Sequence, residues 1–125
     1  MSNPKDNIEI LIGYNTDEGS LFTDNLNVLE LKTAIKNTFG ESKVQSIAAL
    51  YLKDKEPTDS AFKEASSYNA DIMFNLGMKI FADAMSKNHK VYMYHFDYAP
   101  FEYKKSHKGV SHSSEIAYVF STLPE

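Results

Sequence analysis

Two short apolar segments, separated by a long stretch with helical spacing, constrain the fold of this chain most strongly. Residues 8–14 and 91–96 are rich in β-branched and aromatic side chains and are bounded by polar or turn-forming residues, which predicts two β-strands. Because the residues between them are typical of helices, the strands are expected to run parallel, joined by a right-handed crossover. The consecutive apolar residues 10–12 favour a strand that is buried on both faces.

The first residues between the strands predict two helices. Asn27 and Glu30 have the spacing of a capping box, in which each residue bonds to the backbone of the other, and Gly40 marks the end of that helix. Ser42 and Gln45 have the spacing of a second capping box, which predicts that another helix opens there.

A long helical region is predicted over residues 58–88. The weak helix formers at 66–69 are a candidate break that would divide it in two. Its apolar stripe is expected to be buried, and it consists of Phe62, Ala65, Ile72, Leu76, Ile80, Ala84 and Met85. After the second strand we predict a loop over residues 98–110 and then a last short helix through Phe120, capped by Ser113 or Ser114.

The length of 125 residues and the hydrophobic content of 42% fit one globular domain that spans the chain. A sheet of only two strands is marginally stable by itself. We therefore expect that the chain either forms a dimer or packs against strands that lie on other polypeptide.

The composition argues against several classes of partner and site. The net charge is -4 and all 13 basic residues are scattered lysines, so we expect no nucleic-acid partner. No apolar run approaches the roughly 18 residues that span a membrane, so we expect no membrane partner. The chain has no cysteine, which excludes disulfides, thiolate zinc sites and a cysteine nucleophile. This usage suits a reducing compartment, and we expect a cytoplasmic location.

An acidic residue follows the first strand and a histidine follows the second. Glu18 lies four residues after Tyr14, and His112 lies on the loop after residues 91–96. Functional groups gather beyond the carboxyl ends of parallel strands, so adjacent strands would bring both residues to one edge. A histidine held by a carboxylate is the acid–base part of a hydrolase triad. The spacing does not choose between Asp17 and Glu18, and each residue alone also fits an ordinary polar turn.

Other polar residues are weaker candidates. Glu115 is a candidate supporting carboxylate for His112, or else a helix-capping residue. His95 and Asp97 share one face of the second strand, but the sequence offers them no obvious third ligand, so we expect no metal and no cofactor. The remaining histidines are interpreted as surface residues: His89 and His107. The chain contains no Gly-x-Ser-x-Gly turn, which would carry a serine nucleophile.

Two motifs resemble those of type B carboxylesterases, the group that includes para-nitrobenzyl esterases and cholinesterases. Residues 13–22 (GYNTDEGSLF) resemble the acid motif of that family, in which the glutamate of Asp-Glu-Gly is the triad acid. Residues 109–120 (GVSHSSEIAYVF) resemble its histidine motif. Residues 71–74 and 91–97 also resemble the family pattern, so the similarity extends over nearly the whole chain.

The resemblance implies an α/β-hydrolase fold, of which this chain is a C-terminal portion with two parallel strands and intervening helices. It implies that Glu18 is the triad acid and His112 the general base of a serine esterase, with a small carboxylic ester as substrate of the complete enzyme and no cofactor. The nucleophile turn, the oxyanion loop and a final helix of the family have no counterpart in residues 1–125.

We therefore expect the isolated chain to be inactive and to require the missing N-terminal part of the hydrolase, or a second copy of itself, as partner. The alternative is a stand-alone, non-catalytic dimeric interaction module that derives from a hydrolase.

Overall fold

The computed structural model describes residues 8–100 and 109–123. The first half of the chain contains β1 (Glu9–Asn15), a 3-10 turn (Glu18–Phe22), α1 (Val28–Phe39), a second 3-10 turn (Glu41–Lys43) and α2 (Val44–Tyr51). The second half contains α3 (Phe62–Ala70), a π-helical turn (Asp71–Asn75), α4 (Leu76–Met85), β2 (Lys90–Phe96) and α5 (Ile116–Val119). Within the described ranges, no helix is long and apolar enough to cross a membrane. Most of the predicted loop over residues 98–110 lies outside the described residues, as does His107.

The two strands form a parallel sheet, which confirms the predicted mixed α/β class. Glu9 lies opposite Lys90, and the pairing continues without interruption until Asn15 lies opposite Phe96. The carboxyl ends of β1 and β2 therefore meet at one edge of the sheet. The segments that carry Glu18 and His112 both follow from that edge.

The first helix forms as the sequence predicts. The Asn27 side chain accepts a hydrogen bond from the backbone N–H of Glu30 at 2.9 Å, and the Glu30 carboxylate accepts one from the N–H of Asn27 at 2.8 Å. The helix ends at Gly40, whose N–H donates to the carbonyl of Lys36 at 2.8 Å. These three bonds satisfy backbone groups that have no partner inside the helix.

The predicted caps of α2 and α5 are wrong. The 3-10 turn before α2 places the N–H of Lys43 on the carbonyl of Gly40, and α2 then begins at Val44 without a side-chain cap. The residues before α5 form a tight turn in which Ser113 has a φ of 69°. Because backbone groups make these turns, neither Ser42 nor Ser113 is in place to cap a helix, and α5 begins after Glu115 with no side-chain cap bond.

The hydrophobic core lies between α1, α2 and α3. Leu31 and Ile35 contribute the inward face of α1, and Ala48 of α2 and Ala65 of α3 belong to the same cluster. The buried members of this core are Val28, Leu31, Ile35, Ala48, Ala61, Ala65 and Tyr68. Burial of these apolar groups supplies the main driving force for folding this part of the chain.

The predicted buried stripe over residues 58–88 is correct for Ala65 and, in part, for Met85, but it is wrong for the residues between them. Ile72, Leu76 and Ile80 lie on an exposed side of the continuous helix. The side that faces the rest of the fold carries polar as well as apolar residues: Tyr68, Asp71, Phe74, Asn75, Met78, Ala82 and Met85. Apolar residues occupy both sides, so periodicity alone does not identify the buried one. The predicted break at 66–69 is also absent, and the irregularity is the π-helical turn that follows α3.

Candidate active site

A short 3-10 turn after β1 positions Glu18. The turn packs directly on α3, since a Cβ at Gly19 would collide with the backbone carbonyl of Ser66 and lie 2.7 Å from the nitrogen of Ala70. The Asn69 side chain donates to the carbonyl of Phe22 at 3.1 Å and fixes the other end of the turn. Glu18 is consequently only 6% exposed, although it belongs to the segment that links a strand to a helix.

The Glu18 carboxylate is bonded to His112. Its Oε2 lies 2.6 Å from Nδ1 of the imidazole, and its Oε1 accepts a hydrogen bond from the backbone N–H of Asn15 at 2.8 Å. With Glu18 ionised, Nδ1 carries the proton and donates it, so Nε2 keeps its lone pair. Two fixed contacts on one carboxylate thus select the tautomer in which Nε2 can accept a proton.

Two phenylalanine rings surround the His112 imidazole. The Phe74 ring is stacked on it, with centroids 4.6 Å apart, and the Phe22 ring meets it edge-on at 5.7 Å. The His112 side chain nevertheless remains 41% exposed, and no group among the described residues bonds to Nε2. Sequence reasoning assigned neither phenylalanine to the site, because their contacts join segments that lie far apart in the chain.

Asn15 links the turn that carries Glu18 (residues 15–22, the acid turn) to the loop that carries His112 (residues 109–115, the histidine loop). It is 1% exposed, and its Nδ2 donates to the carbonyl of Ser111 at 3.0 Å and to Oε2 of Glu115 at 2.5 Å. Glu115, the candidate supporting carboxylate, is therefore bonded to Asn15 rather than to His112. In the sequence Asn15 stands out only as a residue of the motif at 13–22, because its two partners lie 96 and 100 positions away in the chain.

Asp17 and Glu18 have different partners in the structure. The Asp17 carboxylate accepts a hydrogen bond from the backbone N–H of Val110 at 2.8 Å, whereas the Glu18 carboxylate contacts the His112 ring. The choice that the sequence left open is thus decided geometrically: of these two acids, Glu18 is bonded to the imidazole.

A tyrosine lies close to the two carboxylates of the site. Burial raises the pKa of Tyr94, and the negative charges of Glu115 and Glu18 raise it further. The phenol therefore stays neutral at ordinary pH and adds no charge beside the Glu18–His112 pair.

The other histidines lie outside this pair. Thr16 Oγ1 lies 2.9 Å from Nε2 of His95 and donates to the Asp97 carboxylate at 2.8 Å, so a hydroxyl joins the two residues considered as a metal pair. Across residues 8–100 and 109–123, no three histidine or acidic side chains are grouped so that they could hold a metal ion. His89 is partly buried, so its interpretation as a surface residue is wrong.

Comparison with known protein families gives a match over the full sequence. The family model described as "Carboxylesterase family" matches residues 1–125. No curated protein and no solved structure matches the chain.

Proposed function

The chain belongs to the carboxylesterase family, and from this we propose that it provides the acid and the base of a serine-type carboxylic ester hydrolase. In this proposal Glu18 is the triad acid and His112 is the general base. The finer assignment, to the type B enzymes that resemble para-nitrobenzyl esterases, rests on the motifs at residues 13–22 and 109–120.

One observation carries the proposal. The 2.6 Å contact between Oε2 of Glu18 and Nδ1 of His112 joins two residues that are 94 positions apart in the chain. Both follow adjacent parallel strands, at the edge where α/β folds assemble their active sites. In a hydrolase triad, a carboxylate holds one nitrogen of the histidine and the other nitrogen accepts the proton of the nucleophile. Glu18 holds Nδ1 of His112, and the side chain of His112 remains partly exposed.

The proposed reaction has two stages. A serine Oγ forms a bond to the ester carbonyl carbon while its proton moves to Nε2 of His112, and the proton then passes to the departing alcohol as the ester C–O bond breaks. Water attacks the acyl-enzyme in the second stage and gives a proton to Nε2, which passes it to the serine Oγ as the acyl C–O bond breaks and the carboxylic acid leaves. Glu18 keeps the imidazole oriented and stabilises its charged form in both stages.

The serine and the oxyanion donors come, in this proposal, from polypeptide outside the 125 residues. The sequence contains no Gly-x-Ser-x-Gly turn, and Gly109-Val110-Ser111-His112-Ser113 ends in serine where that turn requires glycine. We propose as partner the N-terminal portion of a carboxylesterase-family hydrolase, and a small carboxylic ester as substrate of the complex.

The proposal is tested by assaying ester hydrolysis with and without such a partner. The chain alone is expected to hydrolyse para-nitrophenyl acetate at the background rate. Mixing it with the portion of a carboxylesterase-family enzyme that carries the Gly-x-Ser-x-Gly turn should produce activity. In the mixture, His112→Ala should reduce the rate by about 10²- to 10⁴-fold, and Glu18→Gln by up to about 10⁴-fold, because the amide no longer favours the required tautomer.

His95→Ala is the matched control, since it removes an exposed histidine that lies after Tyr94 on β2 and is bonded to Thr16 rather than to the proposed acid. The rate of the mixture should be unchanged in this variant. A mixture whose rate is the same with and without His112 would contradict the proposed base. Hydrolysis by the chain alone that disappears in His112→Ala would contradict the need for a partner.

A second candidate function is a non-catalytic module that pairs with a copy of itself. Large apolar side chains of the sheet and of α4 lie exposed, among them Leu11, Tyr92, Leu76 and Ile80, and exposed apolar patches and open sheet edges favour association. Size-exclusion chromatography of the chain alone distinguishes the two candidates. A stable dimer that excludes the hydrolase portion favours the module, and a monomer that binds this portion favours the divided enzyme.

A further inference from the structure

Asp17 joins the acid turn to the histidine loop through two reciprocal hydrogen bonds. Its backbone N–H donates to the carbonyl of Val110 at 2.9 Å, and its carboxylate Oδ2 accepts the N–H of Val110 at 2.8 Å. Asp17 and Ser111 also form a parallel bridge beyond the ends of the two strands. One residue therefore holds both polar groups of the Val110 backbone.

Gly109 allows this approach. It has a φ of 54°, a conformation that residues with a Cβ rarely adopt. A Cβ at this position would also collide with Oδ2 of Asp17 and lie 2.7 Å from its Cγ. The close contact between the Asp17 carboxylate and the histidine loop thus depends on a glycine at position 109.

The regular pairing of the sheet does not by itself fix the position of His112. That pairing ends where Asn15 meets Phe96, and His112 follows Phe96 only after a long connection. The connection returns to the acid turn at three points, which are the bonds of Asp17 with Val110, of Asn15 with Ser111, and of Glu18 with His112. Only the last of these involves the proposed base itself.

We infer that Asp17 is a positioning residue: its carboxylate holds the loop of residues 109–111 so that Nδ1 of His112 meets Glu18 within this chain, before any nucleophile is present. The inference rests on the proposed function for its catalytic consequence. The assembly of the pair can be measured in the chain alone, without any hydrolysis. The role belongs to the hydrogen bond that Oδ2 accepts and not to the charge of Asp17.

The test follows the proton on Nδ1 of His112 by ¹⁵N-resolved NMR of the isolated chain. In the unaltered chain this proton should be observed as a protected, downfield resonance, because it is held by a carboxylate. Asp17→Ala should accelerate its exchange with water by about tenfold to a hundredfold, the effect expected for losing a hydrogen bond to a charged group. Asp17→Asn retains an oxygen that can accept the N–H of Val110 and should keep most of the protection.

Asp59→Ala is the matched control. The Asp59 carboxylate also accepts a backbone hydrogen bond, from the N–H of Glu56 at 2.9 Å, but in a turn between α2 and α3. Its removal changes the net charge by the same amount and should leave the His112 proton unaffected. Exchange of the Ile35 amide, in the helical core, reports in every variant whether the chain remains folded.

Gly109→Ala provides an independent route if Asp17→Ala fails to fold. This substitution places a methyl group against the Asp17 carboxylate. It should therefore expose the His112 proton, both as a single substitution and when it is combined with Asp59→Ala. Where Asp17→Ala folds, adding Gly109→Ala to it should expose the proton by less than the sum of the two single effects, because the carboxylate that the methyl group meets is already absent.

Three results would overturn the inference. They are equal exchange in Asp17→Ala and Asp59→Ala, equal loss of protection in Asp17→Asn and Asp17→Ala, and full protection of the His112 proton in Gly109→Ala. A Glu18→Ala arm, which removes both carboxylate oxygens, separates this inference from the proposed function. If the resonance persists in Glu18→Ala, the acid–base pair itself is wrong; if it is lost there but persists in Asp17→Ala, only the role of Asp17 is wrong.

Discussion

The helical half of the chain (α1, α2 and α3) buries a core of apolar side chains, although Leu29 and Leu50 are exposed, whereas no large apolar side chain of the sheet half (β1, β2 and α4) is fully buried. Leu31 and Ile35 in α1 are 1% and 0% exposed. In contrast, Leu11 in β1 is 72% exposed and Ile80 in α4 is 61% exposed. The difference is one of coverage, because both halves supply large aliphatic residues at regular spacing.

The comparison separates two roles. The helical half completes a core from its own residues, so the free energy of unfolding of the isolated chain should depend mainly on it. The sheet half presents apolar surface that would become buried only against another polypeptide, so association should depend mainly on that half. The Glu18–His112 pair lies between them, with Gly19 packed on α3 and Asn15 at the end of β1.

The same substitution in each half should give very different losses of unfolding free energy. Ile35→Ala should lower the free energy of unfolding by about 2–5 kcal/mol, since it removes a fully buried side chain and leaves a cavity. Ile80→Ala, on the exposed side of α4, should change it by less than about 0.5 kcal/mol. Urea unfolding of the two variants beside the unaltered chain measures both values.

Equal losses of unfolding free energy in the two variants would contradict this difference between the halves, because Ile80 would then be packed in solution. Repeating the unfolding over a range of protein concentrations identifies the cause. A loss in Ile80→Ala that grows with concentration indicates a second copy of the chain on this surface.

The next effect concerns the contact between the two halves. Gly19→Ala should destabilise the chain by about 1–3 kcal/mol, because the new methyl group meets the backbone of Ser66 and Ala70, which cannot rotate away as a side chain can. Gly77→Ala is the matched substitution in α4, where a Cβ has nothing within 4 Å. It should stabilise the helix by about 0.5–1 kcal/mol. Thermal unfolding of both variants gives the two opposite shifts.

A neutral Gly19→Ala would mean that the 3-10 turn is not held against α3, and the burial of Glu18 would then lack its support. The ¹⁵N resonance of the His112 ring distinguishes this case. If Gly19→Ala displaces a turn that is packed on α3, the Nδ1 proton should lose its protection as the chain loses stability. If the turn is not held there, the protection and the stability should both stay unchanged.

Local features were predictable from the sequence. The capping box of Asn27 and Glu30 joins residues three apart, so the local sequence predicts it, although the same spacing at Ser42 and Gln45 forms no cap. The strands were predictable because β1 and β2 are short and rich in β-branched and aromatic residues. The family motifs indicated Glu18 and His112, but the bond of Asp17 to the backbone of Val110 joins residues 93 positions apart, which no local pattern specifies.

Features that depend on distant residues were missed or wrong. The exposed side of α4 was predicted to be buried because Ile72, Leu76 and Ile80 have helical spacing, yet coverage is a property of the whole fold. Asn15 acquires its role only when Ser111 and Glu115 arrive from the other end of the chain. Spacing describes one element at a time, whereas burial and buried hydrogen bonds join elements.

The smallest expected effect is a pH dependence at the junction where α2 meets the π-helical turn. Burial raises the pKa of Tyr51, as does the hydrogen bond that its hydroxyl donates to Asp71 at 2.7 Å. A pKa that is higher in the folded than in the unfolded chain stabilises the fold fully below the unfolded value of about 10. This stabilisation is lost as the pH rises above that value, because the unfolded chain then releases the proton more readily.

Tyr51→Phe removes this contribution. At neutral pH it should cost about 0.5–1.5 kcal/mol, the net value of one hydrogen bond. Above about pH 10 its stability should decline less steeply than that of the unaltered chain, so the two urea midpoints should converge. Tyr92→Phe, at an exposed position of β2, is the matched control and should reproduce the decline of the unaltered chain. Parallel declines of stability with pH in Tyr51→Phe and Tyr92→Phe would show that the fold does not raise the pKa of Tyr51. The hydrogen bond between Tyr51 and Asp71 would then not stabilise the contact of α2 with the π-helical turn.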